Sequence, residues 1–325
     1  MLTNSGNISL PIAVWLASDD YDLSPRPNVI SATGLLKPLK SIVLTQRIRE
    51  ANLEGDTDLQ DLVPSRLGTA IHAAVEHSWL HHLSMALTAM GIPEHAQKLV
   101  RVNPTLPVDP NNHNIFIEQR AEREIDGFIV SGKYDFVENG RVKDVKSTGT
   151  YNWVHGGNDS KYAMQGSIYK WLNPAVITDD VMDVEFVFTD WKAISAKTDK
   201  SYPANRVMTR TLPLKSEFET EAFITNKISQ LKTYHNKPES EIPDCTPDEL
   251  WQRPAKWAYY KNPMALKRAT KVFDTQAEAV SRQVADKSVG IIQHRPGEVK
   301  FCIYCPARPI CKQAERLQQA GLLVI

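Results

Sequence analysis

The chain has no net charge: 38 lysines and arginines stand against 38 aspartates and glutamates in 325 residues. That balance excludes histone-like proteins and binders with polybasic tails. It leaves open a local field, because phosphates sense the charge lining a cleft rather than the sum over a chain. Long apolar runs are also missing, and no stretch approaches the roughly 18 uninterrupted residues of a membrane span. Residues 1–11 lack a cationic segment followed by an apolar one, so neither export nor membrane insertion is expected, and the expected compartment is the cytoplasm. There is no internal repeat, no low-complexity tract and no Gly/Ser linker that would part independent domains. The expectation is therefore a single domain over residues 1–325, with a helical N-terminal extension (30–63), a core (64–190) and a C-terminal extension (191–325). Cysteine is scarce. Three of the four, Cys302, Cys305 and Cys311, fall within ten residues, a spacing that in a reducing compartment suggests a metal site ahead of a disulfide set.

Residues 35–48 are apolar enough for a helix, an acidic loop follows at 54–61, and from Pro64 a long helix rich in Ala and Leu runs to residue 90. After a loop rich in Pro and Asn (103–114) the pattern changes to alternation. Ile115, Ile117, Ile125, Phe128, Val130, Tyr134, Phe136, Val142 and Val145 recur at strand spacing, with turns at Asp126-Gly127 and Asn139-Gly140, which predicts an antiparallel meander. Helices are expected over 159–172, 214–234 and 275–287, and a buried strand over 181–189. Helix, strands, helix and strand in that order make an α/β sandwich core.

Residues 131–147 read SGKYDFVENGRVKDVKS. One strand ends on Asp135, the Asn139-Gly140 turn reverses the chain, and the next strand presents Asp144 and Lys146. Residues two apart in a strand share a face, so a hairpin brings Asp135 beside Asp144 and Lys146. Two carboxylates that close repel unless a cation sits between them, and a hard divalent ion such as Mg²⁺ or Mn²⁺ answers that with oxygen ligands. The lysine adds the capacity to activate a water or to stabilise the extra charge on a phosphate under attack. Taken alone, D-x-K is common on exposed hairpins. Two further elements converge on it: Gly68 and His72 on the long helix, with Glu76 one turn later, and Gln165 and Tyr169 at i, i+4 on the helix after the hairpin.

The order G-x-x-x-H, G-x-x-D, D-x-K, Q-x-x-x-Y resembles the RecB-type branch of the PD-(D/E)xK nuclease superfamily, which includes the nuclease domains of RecB and AddB, CRISPR adaptation nucleases and stand-alone phage proteins. The resemblance spans residues 30–311. It implies a restriction-endonuclease-like core, a central mixed sheet flanked by helices, and a Mg²⁺- or Mn²⁺-dependent DNA exonuclease acting in recombination, repair or replication. On that resemblance His72, Asp135, Asp144 and the Val145 carbonyl hold the metal, and Lys146 is the catalytic lysine. Gln165 and Tyr169 contact the substrate strand, which is DNA with a free end or single-stranded. Glu118 is expected behind the metal ligands, in competition with Glu122 and Glu124. A recombination or replication protein is a further expected partner. The alternatives are a structure-selective endonuclease, or a catalytically idle nucleic-acid-binding protein that keeps the nuclease fold.

Cys302-x2-Cys305-x5-Cys311, with Cys245 as a fourth, supplies enough soft ligands for Zn²⁺ or a [4Fe-4S] cluster. The tail resembles the iron-staple subgroup of the same nucleases, but there the remaining cysteine precedes the G-x-x-x-H helix, whereas residues 30–61 contain none and Cys245 has to substitute. Either metal would be structural, with folding coupled to its binding. His77, His81 and His82 read as a solvated helix face. Residues 256–271 (KWAYYKNPMALKRATK) interleave aromatics with five cations and no acid, and residues 191–215 carry six cations against Asp199. Such patterns suit phosphates and unpaired bases; for 256–271, a strand with a buried aromatic face and solvated lysines carries equal weight.

Overall fold

The computed structural model describes residues 1–18, 26, 28–53 and 55–324; the acidic Asp19, Asp20, Asp22 and Glu54 lie outside the described residues. The chain divides into two compact units, one of Met1–Leu36 with Gly55–Ser229, the other of Lys37–Glu54 with Gln230–Ile325. This differs from the boundaries expected from composition. The division falls inside a helix, Glu217–Tyr234, which leaves no linker-like sequence, and residues 207–213 form a strand of the central sheet rather than part of an extension.

In chain order the helices used below are α1 Leu39–Glu50, α2 Leu59–His81, α3 Leu83–Ala89, α4 Asp159–Leu172, α5 Glu217–Tyr234, α6 Gln276–Ala285 and α7 Lys312–Gln319. The strands are β1 Val29–Ser31, β2 Val100–Val102, β3 His113–Ile117, β4 Arg120–Ile125, β5 Phe128–Lys133, β6 Phe136–Glu138, β7 Arg141–Thr148, β8 Val181–Phe188, β9 Val207–Pro213, β10 Lys256–Tyr260, β11 Lys271–Phe273 and β12 Ile291–Arg295.

The first unit is α/β. Its central sheet is mixed and six-stranded, in the order β9-β8-β7-β6-β3-β2. The β7–β8 and β2–β3 pairs run parallel and the others antiparallel. A second sheet has the order β1-β5-β4. The two sheets share one bent hairpin: β3 and β4 part at Glu118-Gln119, β6 and β5 part at Tyr134-Asp135, and the Glu118 N–H donates to the Asp135 carbonyl across the bend at 3.0 Å. The expected turns form as local chemistry dictates. Asn139 and Gly140 have φ of 48° and 90°, Asp126 and Gly127 have 54° and 75°, and two successive positive φ values are what a two-residue hairpin of type I′ requires.

Helix α2 lays Ile71, Val75 and Trp79 on a cluster of Ile115, Ile117, Phe136 and Val145. This packing fixes where His72, on the adjacent flank of the helix, meets the sheet. The long helix starts five residues earlier than the position of Pro64 suggests, because the Asp58 carboxylate caps the Gln60 N–H at 3.0 Å. Pro64 is carried inside the helix, and at His82 (φ −126°, ψ 9°) the run breaks into α2 and α3. Helix α4 packs tightly because it meets glycine. A Cβ on Gly132 would stand 2.6 Å from Leu172 Cδ1, and one on Gly166 would stand 2.5 Å from Met182 Sδ.

The second unit contains the antiparallel sheet β11-β10-β12 with α6, whose N-terminus carries a Thr275–Glu278 capping box. Tyr259 and Tyr260 on β10 are buried, so these two aromatics serve the core and are not available to stack on bases.

Candidate functional site

The bend in the hairpin is where charge collects. Glu118 adopts φ +51°, a left-handed conformation uncommon for a residue with a side chain, and Asp135 stands opposite it. Strand β6 pairs with β7 only from Phe136 onward, so the Val145 N–H on β7 has no ladder partner there; the Asp135 carboxylate accepts from it instead, at 2.8 Å. A strand residue sends its N–H and C=O to the same edge, so the Val145 carbonyl emerges on the Asp135 side as well. From α2, His72 Nδ1 reaches Asp135 Oδ1 at 3.3 Å. Among the described residues, His72, Glu118 and Asp135 are the group of three whose ligand atoms all lie within 4.8 Å of one another.

Glu118 thus stands level with His72 and Asp135 in this candidate group. Its two rivals are elsewhere: Glu122 pairs with Arg26, and Glu124 is exposed on β4. Asp144, expected as a ligand, is not one of the three. It lies on the same strand face as Lys146, 1% exposed, with Lys146 Nζ 2.6 Å from Oδ2 and Gln165 Nε2 donating to Oδ1 at 3.2 Å. Lys146 is close to Oδ2 but not aligned on it, and that buried oxygen accepts no well-directed hydrogen bond. Gln165 also donates to the Tyr169 hydroxyl at 2.7 Å, so both residues are buried behind the carboxylate and orient it, where direct contact with substrate had been expected.

Burial pushes the Asp144 carboxyl above the ordinary carboxylate range, against the opposing pull of Lys146. Burial works on Lys146 in the other direction, but the charges of Asp144 and Asp135 overcome it and hold the ammonium above its ordinary value. The hydrogen bond to Asp135 raises His72, and burial raises Glu118. An oxygen-rich group with one imidazole and a buried carboxylate beside it suits a hard divalent cation. His72, Glu118 and Asp135 would hold it, with Asp144 and the Val145 carbonyl at the margin.

Two neighbours were not anticipated from sequence. Lys133 ion-pairs with Glu118 at 2.5 Å, and Tyr162 sets its ring 5.6 Å below Lys146 Nζ. Each had a signal: Lys133 is two residues before Asp135, on the same side of its strand, and Tyr162 is one helical turn before Gln165. By contrast Arg210, the last cation of residues 192–210, is engaged by Asp159 at 2.9 Å and stacks on Trp153 at 4.4 Å, so it braces the fold. The His77 ring lies tilted against His81 and edge-on to His82, and all three are exposed, as a solvated face should be.

In the second unit all four cysteines line one cavity together with Lys40, Ser41 and Leu44 of α1. Cys245 is pinned by reciprocal 2.8 Å hydrogen bonds between its backbone and the Gln313 side chain of α7, and Ser41 Oγ lies 3.2 Å from Cys305 Sγ. None of the thiols is paired in a disulfide. Burial pushes Cys245 to about 12 and Cys302 to about 11, and raises Cys311. Such thiols are protonated and unreactive at neutral pH; only a metal would take them as thiolates.

No protein-family model and no curated protein matches the chain. Among solved structures it is similar to one described as the crystal structure of SSO0001, with 15% identity and a TM-score of 0.42 over 70% of this chain and 86% of that one. A likeness at that level carries no argument about function.

Proposed function

We propose that this protein is a divalent-metal-dependent deoxyribonuclease of the RecB-like PD-(D/E)xK type, acting as an exonuclease on DNA ends. The observation that supports this reading best is the convergence of His72, Glu118 and Asp135 beside a buried Asp144–Lys146 pair. Mg²⁺ or Mn²⁺, when bound, would neutralise phosphate charge and make a water nucleophilic near neutral pH. The chain's own groups supply the rest. Asp135 is oriented by the Val145 N–H, and Asp144 by Gln165, which Tyr169 in turn fixes. Lys146, held beside Asp144, is placed to stabilise charge accumulating on the phosphate or to assist the attacking water.

The four-cysteine cavity would hold a [4Fe-4S] cluster in a structural role. The C-x2-C-x5-C spacing, with its likeness to the iron-staple nucleases, favours the cluster over a single zinc. Anaerobically purified protein should then be brown, with a broad visible absorbance band; colourless protein containing stoichiometric zinc would reverse the assignment.

The test of the nuclease is end-labelled linear DNA and closed-circular DNA incubated with Mn²⁺. Linear DNA should be degraded and circular DNA spared, and Asp144→Ala or Lys146→Ala should lose at least 100-fold of the rate while keeping the wild-type circular dichroism spectrum. Full activity in either folded variant would overturn the reading.

A further inference from the structure

We propose that residues 261–270, the loop between β10 and β11, form a pin that engages the end of a DNA duplex. Its cations would meet backbone phosphates and its apolar tip would meet the terminal base pair. The inference rests on the deoxyribonuclease reading and adds a contact element outside the catalytic corner.

The base of the loop is held firmly. Tyr259 is fully buried with its hydroxyl donating to the Val289 carbonyl at 3.0 Å, Tyr260 accepts from Arg295 at 2.6 Å, and the Thr270 N–H closes the loop onto the Tyr259 carbonyl at 2.8 Å. Asn262 starts the turn by accepting the Met264 N–H at 3.0 Å. Beyond that base the loop stands in solvent, and its charge is of one sign. Lys256 and Lys261 are engaged by Asp274 and Asp286, but among the described residues no carboxylate pairs with Lys267, Arg268 or Lys271, and residues 256–271 contain no acid. Unbalanced cations on an exposed loop complement a polyanion.

The tip sharpens the choice of polyanion. Met264 is 91% exposed and Leu266 is 41% exposed, two apolar side chains at the tip between the cations of the loop. Single-strand platforms stack bases on aromatic rings, and here the nearby tyrosines are buried. Aliphatic side chains flanked by cations act instead as wedges against stacked base pairs. A duplex end offers both a stacked face and two phosphate backbones, which an exonuclease must engage.

The experiment measures binding, with Asp144→Asn in the full-length protein to prevent degradation. A labelled blunt duplex and its single strand are titrated by fluorescence anisotropy at several salt concentrations. Replacing Lys267 and Arg268 together by Gln should reduce the slope of log affinity against log salt by roughly 2, one for each phosphate contact. Replacing Met264 and Leu266 by Ser should weaken duplex binding at least tenfold while single-strand affinity changes less than threefold. An unchanged slope and an unchanged duplex-to-single-strand ratio in folded variants would overturn the pin but leave the nuclease standing. DNA neither bound nor cut by the parent protein would overturn both, and binding of these residues to phosphatidylserine vesicles in place of DNA would overturn the pin alone.

Discussion

Glu118 is held by two opposed demands. Its backbone is bent into a positive φ so that one carboxylate oxygen can join His72 and Asp135, while Lys133 fastens the same carboxylate from the other side. A partner of this kind orients a ligand and offsets the repulsion among Glu76, Glu118 and Asp135; loss of such a partner typically weakens metal binding 10- to 100-fold. Lys133→Met should therefore raise the Mn²⁺ dissociation constant by about that factor, Lys133→Arg should restore most of it, and Glu118→Gln should be at least as damaging. Isothermal titration with Mn²⁺ decides, and identical affinities in all three would remove Glu118 from the ligand set. His72 adds a pH dependence. Its folded pKa is raised, so the stability it contributes is fully present below about 6.5, the unfolded value, and is lost as pH rises through the higher folded one. A protonated ring is no ligand, so metal affinity should move the other way and strengthen as pH rises through that window. His72→Ala should bind metal more weakly and with a flatter pH profile between about 6 and 8; an unchanged slope would show that another group titrates.

At the scale of elements, the features legible in the sequence were those with local causes. Asn139-Gly140 and Asp126-Gly127 made their turns because each pair tolerates two successive positive φ values, and Asp144 and Lys146 shared a face because a strand alternates. The bent hairpin was not legible. Alternation across residues 115–145 reads as one meander, and only tertiary packing passes it between two sheets at Glu118 and Asp135. For the same reason Glu118 could not be separated from Glu122 and Glu124 by spacing, and the burial of Asp144 against Lys146 and Gln165 could not be read from alternation. The glycines of the motifs acquire a packing role that the motif alone does not reveal. Gly132 gives α4 room for Leu172 and Tyr169, the residue that fixes Gln165. Gly132→Val should force those side chains out of place at a cost of about 1–3 kcal/mol, measured by urea denaturation, and should lower activity more than metal affinity because Gln165 loses its support. Wild-type stability in this variant would mean that α4 shifts freely.

The whole molecule is built from two units whose chains interleave: the second unit takes residues 37–54 early, and the remainder only from residue 230 onward. Bringing α1 to the cysteine-bearing segments closes a loop of most of the chain, which carries an entropic cost that specific contacts must offset. Those contacts are unevenly placed along α1. Its C-terminal half is tied by Arg47, whose guanidinium donates to the carbonyls of Tyr234, His235 and Lys237 at 3.2, 2.8 and 2.5 Å. Its N-terminal turn depends on the cavity, where the buried Lys40 pairs with Asp244 at 2.6 Å and Ser41 touches Cys305. A cluster held by the four cysteines would draw Cys245, Cys302, Cys305 and Cys311 together around that turn and supply a stabilisation on the order of several kcal/mol. Stripping the metal, or Cys302→Ser, should therefore leave amide protection in β7 and β8 unchanged. Protection should fall in residues 39–44, 245–250 and 301–319, with residues 45–50 affected least because Arg47 persists. Hydrogen exchange followed by mass spectrometry on loaded and stripped protein reads this gradient directly. Uniform loss across both units would mean that they unfold together, and no loss near the cysteines would mean that the cavity closes without a metal.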